Sequence, residues 1–311
     1  MWLVALASAL SLSGQDADNP AATQGGRKSG ETRTVTLPGG AKMEMIWCAP
    51  GTFCMGSPPG EQGRISNETL HSVTLTRGFW LGKYEVTQSQ WESVMRSNHS
   101  RFKHKNNPVE NISWHDCEAF MKRIGSAFGG KARLPTEAEW EYACRAGSNT
   151  PFSGSGVVSE VAWYDENSEH QTHEVGKNKP NAWGFYDMHG NILEWCSDWY
   201  SEPKGDSVDP KGPPSGSFKV LRGGCWFFWT ATVAAHTGSS ASPTSETAYS
   251  ASASRALIST TCPQPHPFSK NEESDSDLAC RRCRVRMPVA LRLYGELAYS
   301  RGCRASVRCS S

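Results

Sequence analysis

The sequence has no long apolar run, and its positive and negative charges are almost equal in number. The mean hydropathy is −0.54. Lys and Arg number 32 and Asp and Glu 31, which leaves a net charge of +1 over 311 residues. The first absence predicts that no helix spans a membrane. The charge balance gives no indication of a nucleic-acid partner. We therefore expect neither a membrane-spanning helix nor binding to nucleic acid.

Familiar catalytic spacings are also missing. The histidines show no metal-binding spacing such as HxxxH, so hydrogen bonding in loops and core is their expected role. No Ser-His-Asp arrangement can be read from spacing, and no glycine-rich phosphate loop follows a predicted strand. The histidines concerned are His71, His115, His173 and His189.

Large aromatic residues are almost absent from the C-terminal part of the chain. All twelve Trp lie at or before Trp229, and ten of the eleven Phe lie at or before Phe228. Tryptophan and phenylalanine dominate the energetics of packed cores. The composition therefore predicts that a packed domain ends near residue 228 and that a different kind of segment follows.

The chain is predicted to have four parts. Residues 1–14 have an apolar run and small residues but no positive start, and we interpret them as the remnant of a signal peptide; a frayed hydrophobic terminus is the alternative. Residues 15–40 are predicted to be a linker, residues 41–228 a domain, and residues 229–311 an aberrant, disordered tail. A signal peptide implies a secreted or periplasmic protein.

Eleven cysteines leave at least one thiol without a partner in the chain. Five of them lie in the domain beside turns or aromatic segments: Cys48, Cys54, Cys117, Cys144 and Cys196. A buried free cysteine packs as a small hydrophobic side chain, and we favour this role for all five. Disulfides stay open as an alternative if the chain is exported.

Strand and helix signals in the domain are short and are separated by long loops. Strands are predicted at 43–49, 72–76 and 79–86. Three helices are predicted after Thr87, Ser113 and Thr136, because each of these residues opens a capping-box pattern followed by apolar residues at helical spacing. The fold class is therefore α+β with little regular secondary structure.

Six blocks of sequence in a fixed order resemble the formylglycine-generating enzyme family, also called sulfatase-modifying factors. They cover about residues 44–226, and the resemblance implies a loop-rich fold related to the C-type lectin fold. The blocks are Thr52-Phe-Cys-Met-Gly-Ser57, Tyr84-Glu-Val-Thr-Gln88, Pro108-Val-Glu-Asn-Ile-Ser-Trp114, Arg133-Leu-Pro-Thr-Glu-Ala-Glu-Trp-Glu-Tyr-Ala143, Asn181-Ala-Trp-Gly-Phe-Tyr-Asp-Met-His-Gly-Asn-Ile-Leu-Glu-Trp195 and Val220-Leu-Arg-Gly-Gly224.

The resemblance implies an oxidase that converts a sulfatase cysteine to formylglycine with oxygen and a copper ion held by two cysteines. Soft thiolates select Cu(I). The two cysteines are expected at the third and eighth positions after Cys225, where this chain has Phe228 and Val233. Neither side chain can bind copper, and Cys225 itself stands where the family usually has serine. We therefore expect no catalytic residue, no copper and no oxidase activity in this chain.

The resemblance also suggests a calcium ion at the turn that contains Asn191 and Glu194. Oxygen ligands on a glycine-anchored loop suit Ca²⁺, although one carboxylate is few for such a site. The alternative is that Asn191 caps the turn and Glu194 pairs locally.

The family ending is absent after Trp229, but a shifted reading frame can supply it. Members normally close with Cys-Arg-Ser-Ala-(His/Tyr/Asn)-Arg and later Gly-Phe-Arg. Back-translation of residues 229–254 and reading two bases out of frame permits D-C-N-C-R-S-A-H-R and later L-G-F-R, in this order. This predicts a frameshift near Phe228 in the gene or in its sequencing. Even the restored frame keeps Phe228 at the third position.

Two functions of different class remain. The first is that of a sulfatase-modifying-factor domain, inactive because the cysteine pair is missing. The alternative is a non-catalytic ligand-binding module on the lectin-like scaffold, in which the segment after Arg222-Gly223-Gly224 forms the recognition surface. A sulfatase or another protein or peptide is the expected partner.

Overall fold

Short helices and strands joined by long loops make up the computed structural model, which describes residues 27–61, 64–128, 132–203, 205–244, 247–249 and 258–260. This arrangement confirms the expected α+β, loop-rich class. The predicted signal segment and most of the predicted tail lie outside the described residues. No helix in the described ranges is long and apolar enough to cross a membrane.

The described elements are thirteen strands, four α-helices and two 3-10 turns. The strands are β1 Thr32–Thr36, β2 Lys42–Cys48, β3 Gly51–Met55, β4 His71–Leu75, β5 Phe79–Gly82, β6 Ala162–Trp163, β7 His189–Gly190, β8 Glu194–Trp199, β9 Ser207–Val208, β10 Lys219–Arg222, β11 Gly238–Ala241, β12 Thr247–Tyr249 and β13 Ile258–Thr260. The helices are α1 Gln88–Met95, α2 Trp114–Ile124, α3 Glu137–Arg145 and α4 Val158–Val161, and the 3-10 turns are Gly125–Phe128 and Thr230–Thr232.

The three longer helices begin where the capping boxes predict. Thr87, Ser113 and Thr136 each accept a hydrogen bond from a backbone N–H three residues later, and the side chain at that later position accepts one from the cap backbone. These bonds satisfy backbone N–H groups that a helix start leaves without partners, which stabilises each start by about 1 kcal/mol. Helix α3 ends at Arg145, because Ala146 at its C-cap has the left-handed conformation.

Three small sheets carry most of the strands. Their orders are β1-β2-β5, β3-β4-β9 and β11-β10-β8. The predicted linker differs from the structure over Thr32–Thr36, which pairs antiparallel with β2. The reason is that this segment alternates threonine with other residues, and β-branched side chains suit the edge of a pleated sheet.

The hydrophobic core has two main parts, one around α1 and α2 and one around α3. The first part includes Met45, Trp91, Ile112, Phe120 and Trp195. The second includes Ile46, Leu81, Trp140, Phe185 and Val220. Because burial of each such side chain stabilises the fold by about 2–3 kcal/mol, aromatic packing compensates for the short regular elements.

Residues 229–244, which the sequence analysis assigns to the tail, are packed into the fold. Strand β11 pairs antiparallel with β10, and Val233, Ala234 and Ala235 are buried. The physical reason is that β10 carries a buried core face and needs a second hydrogen-bonded neighbour, which small Ser and Ala residues can provide at little steric cost. A frameshift is a property of the gene and stays a prediction.

Four of the five predicted core cysteines are buried and free: Cys48, Cys117, Cys144 and Cys196. Cys54 is exposed on β3, which corrects its assignment as a core residue. The alternation of side chains along β3 explains the error, since Cys54 lies on the opposite face from the buried Met55. Burial raises the pKa of the Cys48 and Cys196 thiols well above the ordinary value.

A charge cluster, defined as the buried Arg222, Glu141 and Arg145 with the partly exposed Glu137, joins β10 to α3. Arg222 Nη2 lies 2.6 Å from Glu141 Oε2, and Arg222 Nη1 lies 2.9 Å from Glu137 Oε1. Arg145 Nε lies 2.8 Å from Glu141 Oε1. Burial acts to raise the pKa of Glu141, but the two guanidinium groups outweigh it, and the pKa is lowered. Glu141 is therefore an anion held between two cations in the core.

The charge cluster also organises backbone. Gly56 N donates to Glu141 Oε1 at 2.9 Å, and Arg145 Nη2 donates to Gly56 O at 2.6 Å. Arg222 donates to the carbonyl oxygen of Ala235. One set of ionic side chains therefore fixes the loop after β3, helix α3 and the segment that follows the Arg222-Gly223-Gly224 turn.

We expect Arg222→Met to lower the free energy of unfolding by about 3–5 kcal/mol, because it leaves the buried Glu141 with one cation fewer and removes the partner of the partly exposed Glu137. The measurement is urea unfolding at pH 7 followed by tryptophan fluorescence. Arg133→Met is the matched control, since its side chain is 56% exposed in its pair with Glu139. The control should change stability by no more than about 1 kcal/mol. Equal losses in the two variants would contradict a special role for the charge cluster.

Candidate functional site

The turn after β10 requires two glycines. Gly223 and Gly224 have φ angles of +93° and +73°, a left-handed conformation that favours glycine. A Cβ atom on Gly224 would lie 2.5 Å from Val233 Cγ1 and 2.8 Å from the Thr232 carbonyl oxygen. The turn therefore lets the following segment return closely over its own backbone, and it fixes where the third and eighth positions after Cys225 lie.

Phe228 and Val233, the two expected copper positions, both lie in one apolar cluster. Val233 is fully buried with Ala162 and Tyr164, and the partly buried Phe228 ring packs against this cluster. Neither side chain has a lone pair for a metal, so these residues do not fit a copper ion. Over the ranges that the structure describes, no three His, Cys, Asp or Glu side chains are grouped to hold a metal ion.

His189 holds the backbone at the second copper position. Its Nδ1 lies 2.7 Å from the Val233 carbonyl oxygen, so Nδ1–H is the donor and Nε2 the acceptor. Nε2 then accepts from Ser153 Oγ at 2.9 Å and from Ser153 N at 3.1 Å. Burial lowers the pKa of His189 to about 4, which keeps the ring neutral. The expected hydrogen-bonding role of this histidine is confirmed.

The cysteines near this segment are poor nucleophiles. Cys225 is fully buried, and Cys144 Sγ lies 3.7 Å from His189 Nε2 in the core. Burial raises the pKa of Cys144 to about 12. Since the thiolate is the reactive form, Cys144 stays protonated and unreactive despite its histidine neighbour.

The two predicted calcium ligands are fully buried and make separate hydrogen bonds. Asn191 Oδ1 accepts from His173 N at 3.0 Å, and Asn191 Nδ2 donates to Glu85 Oε2 at 2.7 Å. Glu194 Oε2 accepts from Trp140 Nε1 at 2.9 Å. One side-chain oxygen of each residue, Asn191 Oδ1 and Glu194 Oε2, therefore already accepts a protein hydrogen bond. This geometry favours the alternative in which both side chains are structural.

The other three histidines considered in the sequence, His71, His115 and His173, make local contacts. His173 stacks on Trp163 with ring centroids 3.9 Å apart. His71 Nδ1 bonds the Thr69 carbonyl oxygen, and His115 is exposed at the start of α2. The structure does not bring these residues together with His189.

Sequence reasoning missed His236, which lies inside the region assigned to the tail. Its two ring nitrogens lie 2.8 Å from Glu61 Oε1 and 3.3 Å from Glu68 Oε2. Burial lowers the pKa of His236 to about 4, with the nearby Arg145 and Arg222 guanidinium groups acting in the same direction. No spacing in the sequence could reveal this contact, since Glu61 and Glu68 are far from His236 in the chain.

Sequence reasoning also left the aromatic strip unassigned. The aromatic strip is the run Trp226-Phe227-Phe228-Trp229, in which Trp229 is 51% exposed and Phe227 and Phe228 are half-buried. Successive rings contact each other edge to face, at 4.8 Å for the first pair and 5.1 Å for the second. Phe102, from a distant loop, contacts Trp226 edge to face at 5.6 Å. The signal for it was present, because four consecutive aromatic residues exceed what one buried face can accommodate.

We expect His189 to make folding sensitive to acid. Its pKa is about 4 in the fold, against 6.5 for a free histidine, so the unfolded chain binds more protons between these values. The stability that the neutral ring provides at pH 7 is therefore lost as the pH falls through this window, by about 2 kcal/mol between pH 7 and pH 5. The measurement is urea unfolding of wild type and His189→Gln at both pH values.

The His189→Gln variant should be less stable at pH 7, and the difference from wild type should shrink by about that amount at pH 5. His115→Gln is the matched control, because the His115 side chain is 57% exposed. A constant difference between wild type and His189→Gln at the two pH values would show that His189 does not stay neutral in the fold.

We expect calcium to leave the stability almost unchanged. Ligand binding to the folded state raises the melting temperature, and about 1 kcal/mol corresponds to 2–4 °C for a domain of this size. The melting temperatures in EDTA and in about 5 mM CaCl2, a concentration that saturates extracellular calcium sites, are compared. They should agree within about 1 °C. A calcium-dependent rise of about 4 °C that Glu194→Gln removes would instead establish the calcium site.

Comparison with known proteins places this geometry in a family. The family model described as sulfatase-modifying factor enzyme 1-like domain matches residues 32–253, which is more than half of the chain. The chaperone protein LppX of Paenibacillus barcinonensis is 34% identical over 209 residues, covering 50% of this chain and 71% of LppX. The formylglycine-generating enzyme of Streptomyces coelicolor is 35% identical over 139 residues, covering 39% of this chain and 42% of the enzyme.

A solved structure supports the same placement. Treponema denticola variable protein 1 is 31% identical to this chain, and the two structures superpose with a TM-score of 0.64. The match covers 72% of this chain and 97% of the variable protein. The matched region continues past Phe228, in agreement with the packing of residues 229–244 beside β10. The chain belongs to the sulfatase-modifying factor enzyme 1-like family.

Proposed function

We propose that this chain is a non-oxidising member of its family that binds a protein or peptide ligand through the segment after Arg222-Gly223-Gly224. The observation that carries the proposal is the pair Phe228 and Val233, two hydrocarbon side chains at the positions where the resemblance expects the copper cysteines. An oxidase that activates oxygen at Cu(I) needs soft ligands there. Without them, the fold offers a surface instead of a redox centre.

The names of the relatives support a division of roles within the family. One relative is named a formylglycine-generating enzyme, one a chaperone and one a variable protein. The chain spans less than half of the formylglycine-generating enzyme that it matches. Oxidation of a sulfatase cysteine is therefore the competing proposal. Under our proposal of ligand binding without oxidation, a sulfatase is one possible ligand, which would be bound but not oxidised. We further propose that the protein is secreted or periplasmic, as the apolar residues 1–14 suggest.

The aromatic strip is the part of this segment that can bind a ligand. Trp229 is half-exposed, while Phe227 and Phe228 are held by neighbouring rings and need little further ordering. Aromatic side chains provide large contact areas with few rotatable bonds, which is why they dominate binding surfaces. The buried Val233 and the bond from His189 to its carbonyl fix the base of this surface.

The test compares this protein with the Streptomyces coelicolor formylglycine-generating enzyme as the positive control. Both are titrated with Cu(I) against a chromophoric chelator, and both are incubated with oxygen and a cysteine-containing sulfatase peptide. We expect copper binding, oxygen consumption and aldehyde formation with the control enzyme alone. The peptide can be followed by mass spectrometry.

Stoichiometric Cu(I) binding or peptide oxidation by this chain would overturn the proposal. A fluorescently labelled sulfatase peptide, titrated into the protein in the same buffer, tests binding separately from turnover. Trp229→Ala should weaken any such binding about tenfold or more, as expected for an exposed aromatic anchor.

A further inference from the structure

A loop of strongly positive charge borders the aromatic strip on the side of Phe102. The basic loop, defined as residues 96–105, contains four cationic side chains, all exposed, and no acidic residue. These are Arg96, Arg101, Lys103 and Lys105. Since the whole chain is almost neutral, this is a concentration of charge that composition alone does not explain.

A loop of opposite charge borders the same strip through different contacts. The acidic loop, defined as residues 165–169, carries the exposed Asp165, Glu166 and Glu169. Its backbone is fixed to the strip, because Asp165 N donates to the Phe228 carbonyl oxygen at 3.0 Å. Ser168 Oγ donates to the Trp226 carbonyl oxygen at 2.7 Å.

The basic loop is equally well anchored. Phe102 brings it into ring contact with Trp226. Buried Gln88 and Glu110 fix its backbone: Gln88 Nε2 donates to the Phe102 carbonyl oxygen at 2.7 Å, and Glu110 Oε1 accepts from Phe102 N at 2.7 Å. The exposed charges therefore project from a backbone that is already ordered, which lowers the entropic cost of binding.

The charges of the two loops do not neutralise each other within the described part of the chain. Arg101, Lys103 and Lys105 form no ion pair there, and Arg101 packs over the Phe102 ring at 5.0 Å. Within the described ranges, Asp165 pairs with His170, the residue that follows the acidic loop, at 3.9 Å. Both charge sets remain available to a partner.

We propose that the face formed by the aromatic strip, the basic loop and the acidic loop is a two-fold symmetric interface with a second copy of this chain. A two-fold axis through the strip places the basic loop of one protomer against the acidic loop of the other, twice, while the aromatic residues meet at the centre. An isologous contact needs such a self-complementary patch. Aromatic residues at the centre and charges at the rim match the usual anatomy of an interface.

A second copy fits better than an unrelated partner because loops of opposite charge are both anchored to this one strip, so the patch carries both halves of a charge-complementary contact. The inference rests on the proposed use of the strip for binding and names its partner. The charged side chains of the basic and acidic loops should attract the two copies to each other, so dimerisation should be faster at low ionic strength.

The experiment reverses the charges of each loop separately in the full-length chain. One variant is Arg101→Glu with Lys103→Glu, and the other is Glu166→Lys with Glu169→Lys. Sedimentation equilibrium of wild type should give twice the chain mass of 34.1 kDa. Each variant alone should dimerise at least tenfold more weakly, because like charges then face each other across both rims. An equimolar mixture should recover dimers, since the two variants are complementary.

The control variants are Lys122→Glu and Glu118→Lys, exposed charges on α2 outside this face. Both should dimerise like wild type, and circular dichroism checks that every variant is folded. A monomeric wild type, a dimer that the reversals leave unchanged, or a mixture that stays monomeric would each overturn the inference. Copper binding or peptide oxidation would overturn the proposed function instead, so the two failures are distinguishable.

Discussion

The buried Arg222 is the residue on which the arrangement of the domain depends most. It joins the anions of α3 to β10, and through Ala235 it holds the segment beyond the glycine turn. A buried ion pair contributes little net stability compared with a hydrophobic replacement, but a buried charge without its partner is very costly. The charge cluster therefore acts as a geometric constraint, because other positions of β10 against α3 would leave the buried Glu141 with Arg145 as its remaining cation.

In the segment that this cluster holds, main-chain contacts fix the backbone, whereas the side chains at positions 228 and 233 determine its chemistry. The glycine turn and His189 act on main-chain atoms, since His189 binds the carbonyl oxygen of Val233 and not its side chain. Val233 itself fills an apolar cluster that Phe228 covers. The same backbone path can thus present side chains of different chemistry, because the hydrogen bonds to the Phe228 and Val233 carbonyl oxygens do not involve those residues' side chains.

Much of this fold could be predicted from the sequence because its signals are local. The three capping boxes fixed the starts of α1, α2 and α3, and the glycine and aromatic blocks indicated the family. The placement of residues 229–244 could not be predicted, because the pairing of β11 with β10 depends on a distant strand edge and not on the weak preferences of Ser and Ala. The contact of His236 with Glu61 and Glu68 is likewise a long-range product of the fold.

For the site, sequence identified the decisive positions but not their surroundings. Phe228 could be recognised as unable to bind copper from its chemistry alone. Only the structure shows that its ring belongs to a strip that contacts Phe102 and to which both charged loops are anchored. The sequence could not show this, because the segments are separated by more than a hundred residues at the widest. A redox site is defined by a few donor atoms, whereas a binding surface is defined by the shape and charge of its neighbours. With hydrocarbon side chains at the two expected copper positions and ordered, charged loops beside them, the site that we propose for this chain is of the second kind.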